Sequence, residues 1–292
     1  MGTGILFPDE LVPILSHDYF REEGEQFRER IRLAHLERYL KFTLALETDA
    51  VNPVIMNVAR ARDGLSLTPE MRQDAFRMYV DEAYHANFTY ALLRRLEQER
   101  GVSADLTETP YFLQRIAKMA RRVPAEMQHH LMTLFVSISE LLITGTLTAL
   151  PKYEGVAEPV KNSVHDHAAD EARHHAFFSA YLPIYWESLS AREKHILGPL
   201  VPDLIDCFLQ PDLPSLKAEL GRYGIPEETA QTILAEIYSL ERTSDDRKRM
   251  ARPVLKVMDR AGICEVPAIT HRLETLGLAQ SARVNGRSGQ FV

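Results

Sequence analysis

The sequence contains few cysteines, and they are far apart. Cys207 and Cys264 are the only two among 292 residues. A disulfide framework or a thiolate metal site needs several cysteines at short spacings, so the sequence excludes both. The cysteine content favours a reducing cytoplasm, where we expect both residues to be small buried side chains.

Concentrated positive charge is also missing. The chain has 34 Lys and Arg against 41 Asp and Glu, a net charge of −7, and no segment gathers the basic residues. Binding to nucleic-acid phosphates needs such a gathering, so we expect no nucleic-acid partner. The first residues, MGTGILFPDELVPILSHD, include acids and prolines but no basic region, and they do not resemble a signal peptide.

Long hydrophobic runs are limited to residues 131–150, LMTLFVSISELLITGTLTAL. This stretch has nearly the ~20 apolar residues that span a bilayer. Glu140 lies near its middle, where a carboxylate would cost about 2.5–3.5 kcal/mol on insertion. We therefore expect no membrane partner and interpret the stretch as a helix buried in a bundle. Its carboxylate then needs a compensating partner.

Signals of β-structure are nearly absent, whereas apolar residues recur at spacings of three and four between clusters of proline and glycine. Thr68-Pro69 indicates a helix start, since it places a capping threonine before a proline in the first turn. The sequence predicts an all-α protein with a core of four long helices and additional C-terminal helices. The long helices are predicted at about residues 23–47, 69–100, 124–150 and 158–182.

Prolines predict where these helices end. The first should end near Asn52-Pro53, because the residue before a proline avoids helical geometry. Pro183 should kink or end the fourth long helix. A shorter helix should follow Pro110. We expect a single domain over residues 1–292, with a core at about 23–188, a C-terminal helical layer at about 190–276 and a loose tail at about 278–292.

Two copies of one motif indicate a metal site. The sequence DEAYH occupies residues 81–85, and DEARH occupies residues 170–174. In each copy a glutamate and a histidine are three residues apart, so both project from one face of a helix and can bind one metal ion. Two such pairs, with a lone glutamate from each of two other helices, are typical of ferritin-like dinuclear bundles. The pairs are Glu82/His85 and Glu171/His174.

Two lone glutamates complete the pattern. Glu47 and Glu140 each lie in an apolar helical stretch upstream of one motif, so both should be buried and need compensation. Four carboxylates neutralise two divalent ions, and oxidation to two trivalent ions leaves a charge that suits the reduction of dioxygen. Carboxylate and imidazole ligands favour iron, with manganese as a substitute.

Further side chains are placed near the metal by their spacing. His167 precedes Glu171 by four residues and lies on the same stripe, which makes it a candidate third histidine ligand. Asp81 and Asp170 are either surface acids or hydrogen-bond partners of the opposite helix's histidine. His175 is an alternative to His174 as the metal ligand, although the three-residue spacing of the Glu82/His85 pair favours His174. His165 points to a helix face other than the one that carries the ligands.

These residues resemble the AurF-like family of p-aminobenzoate N-oxygenases, which are ferritin-like diiron proteins. The most specific shared element is His167-x-x-x-Glu171-x-x-His174. The resemblance implies that Glu47 and His85 bind one iron, that Glu140, His167 and His174 bind the other, and that Glu82 and Glu171 bridge. It also implies a diferrous site that takes up dioxygen, forms a peroxo-diferric intermediate and oxidises an amine towards hydroxylamine, nitroso or nitro products, in a biosynthetic pathway.

The implied chemistry needs electrons from outside the chain. No G-x-G-x-x-G pattern follows a strand, so a separate reductase or electron carrier is implied. The substrate pocket is predicted beside Glu47, around Tyr39 and Thr43, where Arg38 is either solvated or turned inward. A larger or neutral amine, free or carrier-bound, is as plausible here as p-aminobenzoate. C–H hydroxylation or desaturation at the same site, and a ferroxidase or iron-binding role, stay open, and a homodimer is expected on general grounds.

Overall fold

The computed structural model describes residues 7–21, 23–143 and 153–279, apart from the side chain of Ser163. Within these ranges the regular structure is helical and no strand occurs, which confirms the all-α prediction. After three single-turn helices near the N-terminus, the bundle helices are α1 (Glu25–Ala45), α2 (Asn52–Ala59), α3 (Pro69–Arg100), α4 (Tyr111–Ala120), α5 (Gln128–Leu142) and α6 (Glu158–Ser188). The C-terminal helices are α7 (Ala191–Leu197), α8 (Val201–Leu209), α9 (Leu213–Arg222), α10 (Glu227–Ile237), α11 (Leu240–Arg260) and α12 (Pro267–Thr275).

Four long helices form the core of the bundle. Helix α1 packs against α3, α3 packs against α6, and α6 packs against α5. Of the C-terminal helices, α8 and α11 pack on α5, and α11 also contacts α6. Helices α8 and α11 therefore cover the side of the bundle that α5 forms. The domain limits stay a prediction.

The first helix does not end at Asn52-Pro53 as predicted. It passes through a π turn over Leu46–Val51 and continues as α2. The wider turn interrupts the α-helical hydrogen bonds just before Pro53, so the missing proline N–H falls at a junction. Thr48 donates its hydroxyl hydrogen to the carbonyl oxygen of Leu44 at 2.8 Å. The π turn thus absorbs the proline without breaking the helix.

Helix α3 begins and ends as the sequence predicts. The Thr68 hydroxyl accepts a hydrogen bond from the backbone N–H of Met71 at 3.3 Å, which caps the first turn. At the other end Gly101 adopts a left-handed conformation with φ of 72°, which stops the helix after Arg100. Helix α3 is therefore a continuous helix of 32 residues, and it carries one of the two motifs.

Helix α6 passes Pro183 and ends only at Ser188, six residues beyond the predicted limit. Tyr185 and Trp186 in this extension are 2% and 5% exposed, and their burial offsets the hydrogen bond that the proline removes. The predicted end of α5 near residue 150 lies outside the described residues, as does the predicted tail from residue 280 on. No helix in the described ranges is long and apolar enough to cross a membrane.

Candidate metal centre

Four helical segments bring seven predicted side chains together inside the bundle. Each of them is at most 3% exposed. Their ligand atoms form two neighbouring groups, within each of which the atoms lie no more than 4.8 Å apart. The first group is Glu47, His85 and His167, and the second is Glu82, Glu140, Glu171 and His174.

His167 lies in the group opposite to the one that the resemblance implied. Its Nε2 is 3.4 Å from Oε1 of Glu47, and its ring centroid is 4.1 Å from that of His85. The resemblance had placed it with Glu140 and His174. Because His167 lies one helical turn before Glu171 on α6, its side chain faces the end of the centre that Glu47 and His85 form. The structure therefore groups it with Glu47 and His85.

Glu82 and Glu171 lie between the two histidines of the repeated motifs. Nδ1 of His85 is 3.3 Å from Oε2 of Glu82 and 3.9 Å from Oε1 of Glu171. Nδ1 of His174 is 2.9 Å from Oε1 of Glu82 and 3.5 Å from Oε1 of Glu171. Each glutamate thus reaches both histidines, which is the position of a bridging ligand.

The outer ring nitrogens of these histidines face carboxylates of the opposite helix. Nε2 of His85 is 3.1 Å from Oδ2 of Asp170, and Nε2 of His174 is 3.4 Å from Oδ2 of Asp81. Arg173, at the surface of α6, contacts Asp170 at 2.6 Å and Asp81 at 3.2 Å. The aspartates therefore fix both rings with Nδ1 directed inward, and the arginine holds the two aspartates together. Sequence reasoning missed Arg173, although it stands at the variable position of the second motif.

The carboxylates do not share the same protonation preference. Burial raises the pKa of Glu47 well above its ordinary value, and the charges of Glu82 and Glu171 raise it further. Burial and the same two neighbours also raise the pKa of Glu140. Without cations, these two carboxyl groups hold protons because four negative charges cannot be accommodated in one dry cavity.

Contacts between histidines and glutamates shift the pKa values of Glu171 and His174 at the centre of the cluster. Burial alone would raise the pKa of Glu171, but hydrogen bonds with His167 and His174 outweigh it and lower this pKa to about 2. Burial disfavours a charged His174, yet its close contacts with the Glu171 and Glu82 carboxylates raise its pKa to about 12. The metal-free cluster is thus held together by protons on histidine.

The chemistry of the cluster fits two metal ions. Both carboxylate oxygens of Glu47 and one oxygen each of Glu140 and Glu171 are buried and make no hydrogen bond. A buried carboxylate without a partner is costly, and a cation supplies the missing interaction. Imidazole nitrogens and carboxylate oxygens are ligands that iron and manganese accept. Two divalent ions would balance the charges of the four glutamates.

A narrow pocket reaches the cluster from the α1 side. Tyr39, Thr43, Phe88, Val164 and His167 are among its lining residues, so the two predicted pocket residues lie beside a predicted ligand. Among the described residues, no lysine or arginine lines it. Its described lining is apolar apart from hydroxyl groups and the His167 ring.

The remaining candidates from the sequence lie away from the centre. Arg38 pairs with Glu219, a buried acid of α9, and does not line the pocket. His165 is exposed, and His175 is only partly buried and belongs to neither ligand group. The spacing argument that favoured His174 over His175 therefore agrees with the geometry.

Four helices that direct carboxylates and histidines into a buried interior are the arrangement found in helical bundles that can hold two metal ions. The comparison with known families specifies the protein further. The family described as p-aminobenzoate N-oxygenase AurF matches residues 3–262, and the chain belongs to this family. It is therefore an oxygenase enzyme, and its family is one of diiron enzymes. The 4-aminobenzoate N-oxygenase of Streptomyces thioluteus is 20% identical over 236 residues, which cover 80% of this chain and 69% of that protein.

Proposed function

We propose that the protein is a diiron N-oxygenase that oxidises an arylamine to its hydroxylamine, nitroso or nitro form. The observation that carries the proposal is the buried cluster of four glutamates and three histidines, several of whose oxygens make no hydrogen bond. Family membership and the named relative support the reaction type. Two ferrous ions held there would supply electrons and open coordination positions for dioxygen.

The side chains have distinct tasks in this proposal. Glu47, His85 and His167 would hold one iron, whereas Glu140 and His174 would hold the other. Glu82 and Glu171 would be shared between the two ions, since each lies near both histidines of the repeated motifs. Asp81 and Asp170 hold the histidine rings in position, and the surrounding apolar core excludes water.

The pocket beside His167 is the proposed binding position of the amine. Its described lining offers hydroxyl groups on Tyr39 and Thr43 but no cation that would pair with a carboxylate. An ionised carboxylate is costly to bury without a partner, so this lining favours an arylamine that is uncharged in the pocket, free or carrier-bound. The hydroxyl groups are placed to orient its amino group or ring substituents.

Other parts of the proposal follow from the chemistry of the reaction. Reduction of dioxygen needs electrons from a separate reductase or carrier, and the peroxo-diferric intermediate implied by the resemblance belongs to the same proposal. A role in biosynthesis, a cytoplasmic location and a homodimer complete it. Manganese would occupy the same ligands but is the less favoured metal.

Product analysis tests the reaction. The protein is loaded with ferrous iron without oxygen, mixed with labelled dioxygen and a panel of arylamines, and analysed by mass spectrometry. Labelled oxygen on the amine nitrogen supports the proposal. Label on carbon, or a desaturated product, identifies a different oxidation at the same centre. Iron oxidation without any organic product identifies a ferroxidase.

A further inference from the structure

A line of aromatic side chains continues the stripe of metal-ligating residues on α6. His174 is followed on the same helix face by Phe178, Tyr181 and Tyr185, at spacings of four, three and four residues. Tyr181 and Tyr185 are 0% and 2% exposed. Two phenol groups therefore lie inside the bundle, on the face that carries the ligands.

The rings along this face are stacked. The ring of Phe177 lies 5.7 Å from that of Tyr181 at an interplanar angle of 15°, and Tyr181 lies 5.6 Å from Tyr185 at 21°. These distances are within the range of offset-stacked aromatic pairs. Close, nearly parallel rings allow an electron to pass from one to the next. The stack extends from the turn after His174 towards the end of α6.

Tyr185 has a base within hydrogen-bonding distance. Its phenol oxygen is 2.7 Å from Nδ1 of His130 on α5, and Nε2 of the same ring is 3.3 Å from Oε1 of Glu193. A carboxylate accepts hydrogen bonds, so the neutral ring carries its proton on Nε2 and leaves Nδ1 free to accept from the phenol.

The pKa shifts of Tyr185 and His130 keep the phenol protonated and the imidazole neutral, which is the arrangement that oxidation of the phenol needs. Burial raises the pKa of Tyr185 to about 12, so the phenol keeps its proton near neutral pH. Burial, together with the charge of His129, lowers the pKa of His130, which keeps that ring neutral and able to accept a proton. Glu193 would pair with the imidazolium that results. Removal of an electron makes a phenol strongly acidic, so electron and proton would leave together.

Core packing alone does not require this arrangement. A phenylalanine would fill the space of either tyrosine, but both phenol groups have polar partners. Tyr181 donates to Oδ2 of Asp63 at 3.4 Å, and Asp63 also pairs with Arg72 at 2.8 Å. Each phenol thus has its own group that could take a proton, and the two rings contact each other.

We propose that Tyr185 is a redox-active residue that gives one electron, through the ring of Tyr181, to the metal centre when dioxygen has oxidised the centre and no amine is bound. In this step the O–H bond of Tyr185 breaks, its proton moves to Nδ1 of His130, and a neutral phenoxyl radical remains. The metal centre is reduced by one electron. An external donor later returns an electron to the phenoxyl, which regains the proton from His130. The inference rests on the proposed iron centre.

Freeze-quench electron paramagnetic resonance tests the step. Ferrous-loaded protein is mixed with dioxygen without amine, in a preparation with ring-deuterated tyrosine and in a preparation without it. We expect a tyrosyl radical whose hyperfine splitting narrows with the label and which shows a hydrogen bond that exchanges in heavy water. Tyr185→Phe should lose the signal, His130→Asn should lose the exchangeable coupling, and Tyr238→Phe, which removes a tyrosine whose pKa burial also raises to about 12, should change neither.

A second experiment does not depend on iron. In metal-free protein whose exposed tyrosines Tyr19, Tyr84 and Tyr90 are replaced by phenylalanine, a flash-generated trivalent ruthenium complex removes one electron. We expect the long-lived radical to lie on Tyr185. An unchanged radical signal in the Tyr185→Phe variant would overturn the proposal. Iron oxidation without a Tyr185 radical overturns the relay but leaves the proposed oxygenase intact. A Tyr185 radical in the ruthenium experiment, together with no reaction of iron and dioxygen, counts against the oxygenase but retains the redox role of Tyr185. If neither the Tyr185 radical nor the reaction of iron with dioxygen is observed, both the redox role and the proposed oxygenase are rejected.

Discussion

Nε2 of His85 on α3 lies 3.1 Å from Oδ2 of Asp170 on α6, and the pair crosses the interface between the two helices that carry the repeated motifs. The aspartate fixes the orientation of the ring, so Nδ1 faces the glutamates inside. Asp81 on α3 fixes the ring of His174 on α6 in the same way, through Nε2 of that ring. Each motif therefore supplies a ligand pair and also the support for the other motif's histidine.

Asp170→Asn should weaken iron binding without unfolding the helices. Loss of such an outer carboxylate typically costs about 10–100-fold in metal affinity. Competition with a chelator measures the affinity, and circular dichroism checks the helix content. Asp166→Asn on the exposed face of α6 is the control and should leave the affinity unchanged. Equal affinity of Asp170→Asn and the unmodified protein would show that the pairing does not matter.

His167→Ala should weaken one iron position more than the other. His167 lies with Glu47 and His85, so the position that these residues form should lose its ion first. Alanine is a good helix former, and α6 should stay intact. Metal analysis during stepwise loading should find about one tightly held ion per chain in place of about two. Preferential loss of the ion bound by Glu140 and His174 would favour the assignment that the resemblance implied.

Iron binding should release protons and should strengthen as the pH rises. The pKa values of Glu47 and Glu140 are raised, and that of His174 is about 12, so all three groups hold protons in the metal-free protein. Metal ions displace these protons, and a higher pH favours their loss. An indicator dye in weak buffer measures the release under anaerobic loading.

Glu140→Gln is the matched variant for this measurement. It should bind iron more weakly and release about one proton fewer per chain, because the amide carries no acidic proton. Its metal-free form should tolerate burial at least as well as the glutamic acid does. Binding that releases no protons at any pH between the ordinary and the raised pKa of Glu140 would contradict the account of the cluster.

Neutral arylamines should be better substrates than charged ones. The methyl ester of p-aminobenzoate should exceed the free acid in kcat/KM by about tenfold or more, because an unpaired buried polar group costs ~1–3 kcal/mol. The two compounds share the ring and the amino group, so the ratio isolates the carboxylate charge. A free acid that is the better substrate would indicate a cation that the described pocket lining does not contain.

Much of the fold could be predicted because its signals are local. Thr68, Pro69 and Gly101 mark the ends of α3 through caps and fixed backbone angles that act within one turn. The two motifs were equally visible, since the spacing of a glutamate and a histidine alone puts them on one helix face. Glu47 and Glu140 were found because a carboxylate in an apolar stretch needs a partner.

The rest depends on contacts between distant segments. The passage of α6 through Pro183 depends on the burial of Tyr185 and Trp186, which no local pattern reports. The position of His167 in one ligand group or the other depends on how α6 faces α1 and α3. Arg38 could be placed only once its partner Glu219, 181 residues later in the chain, was known.

The π turn over Leu46–Val51 works as a phase shift within the first helix. It holds one residue more than an ordinary turn would, so the apolar stripe before it and the apolar stripe after it can both face the same core. Deletion of Asp49 would remove the extra residue, so an ordinary α-helical turn would take its place and the later residues would keep their orientation relative to α1. Forcing the present residues into an unbroken α-helix would instead rotate all later residues by about 100°. Ile55, which is fully buried, would then turn away from the bundle. Chains of this family that lack one residue at this turn should therefore continue through it as an ordinary helix and bury the same helix face.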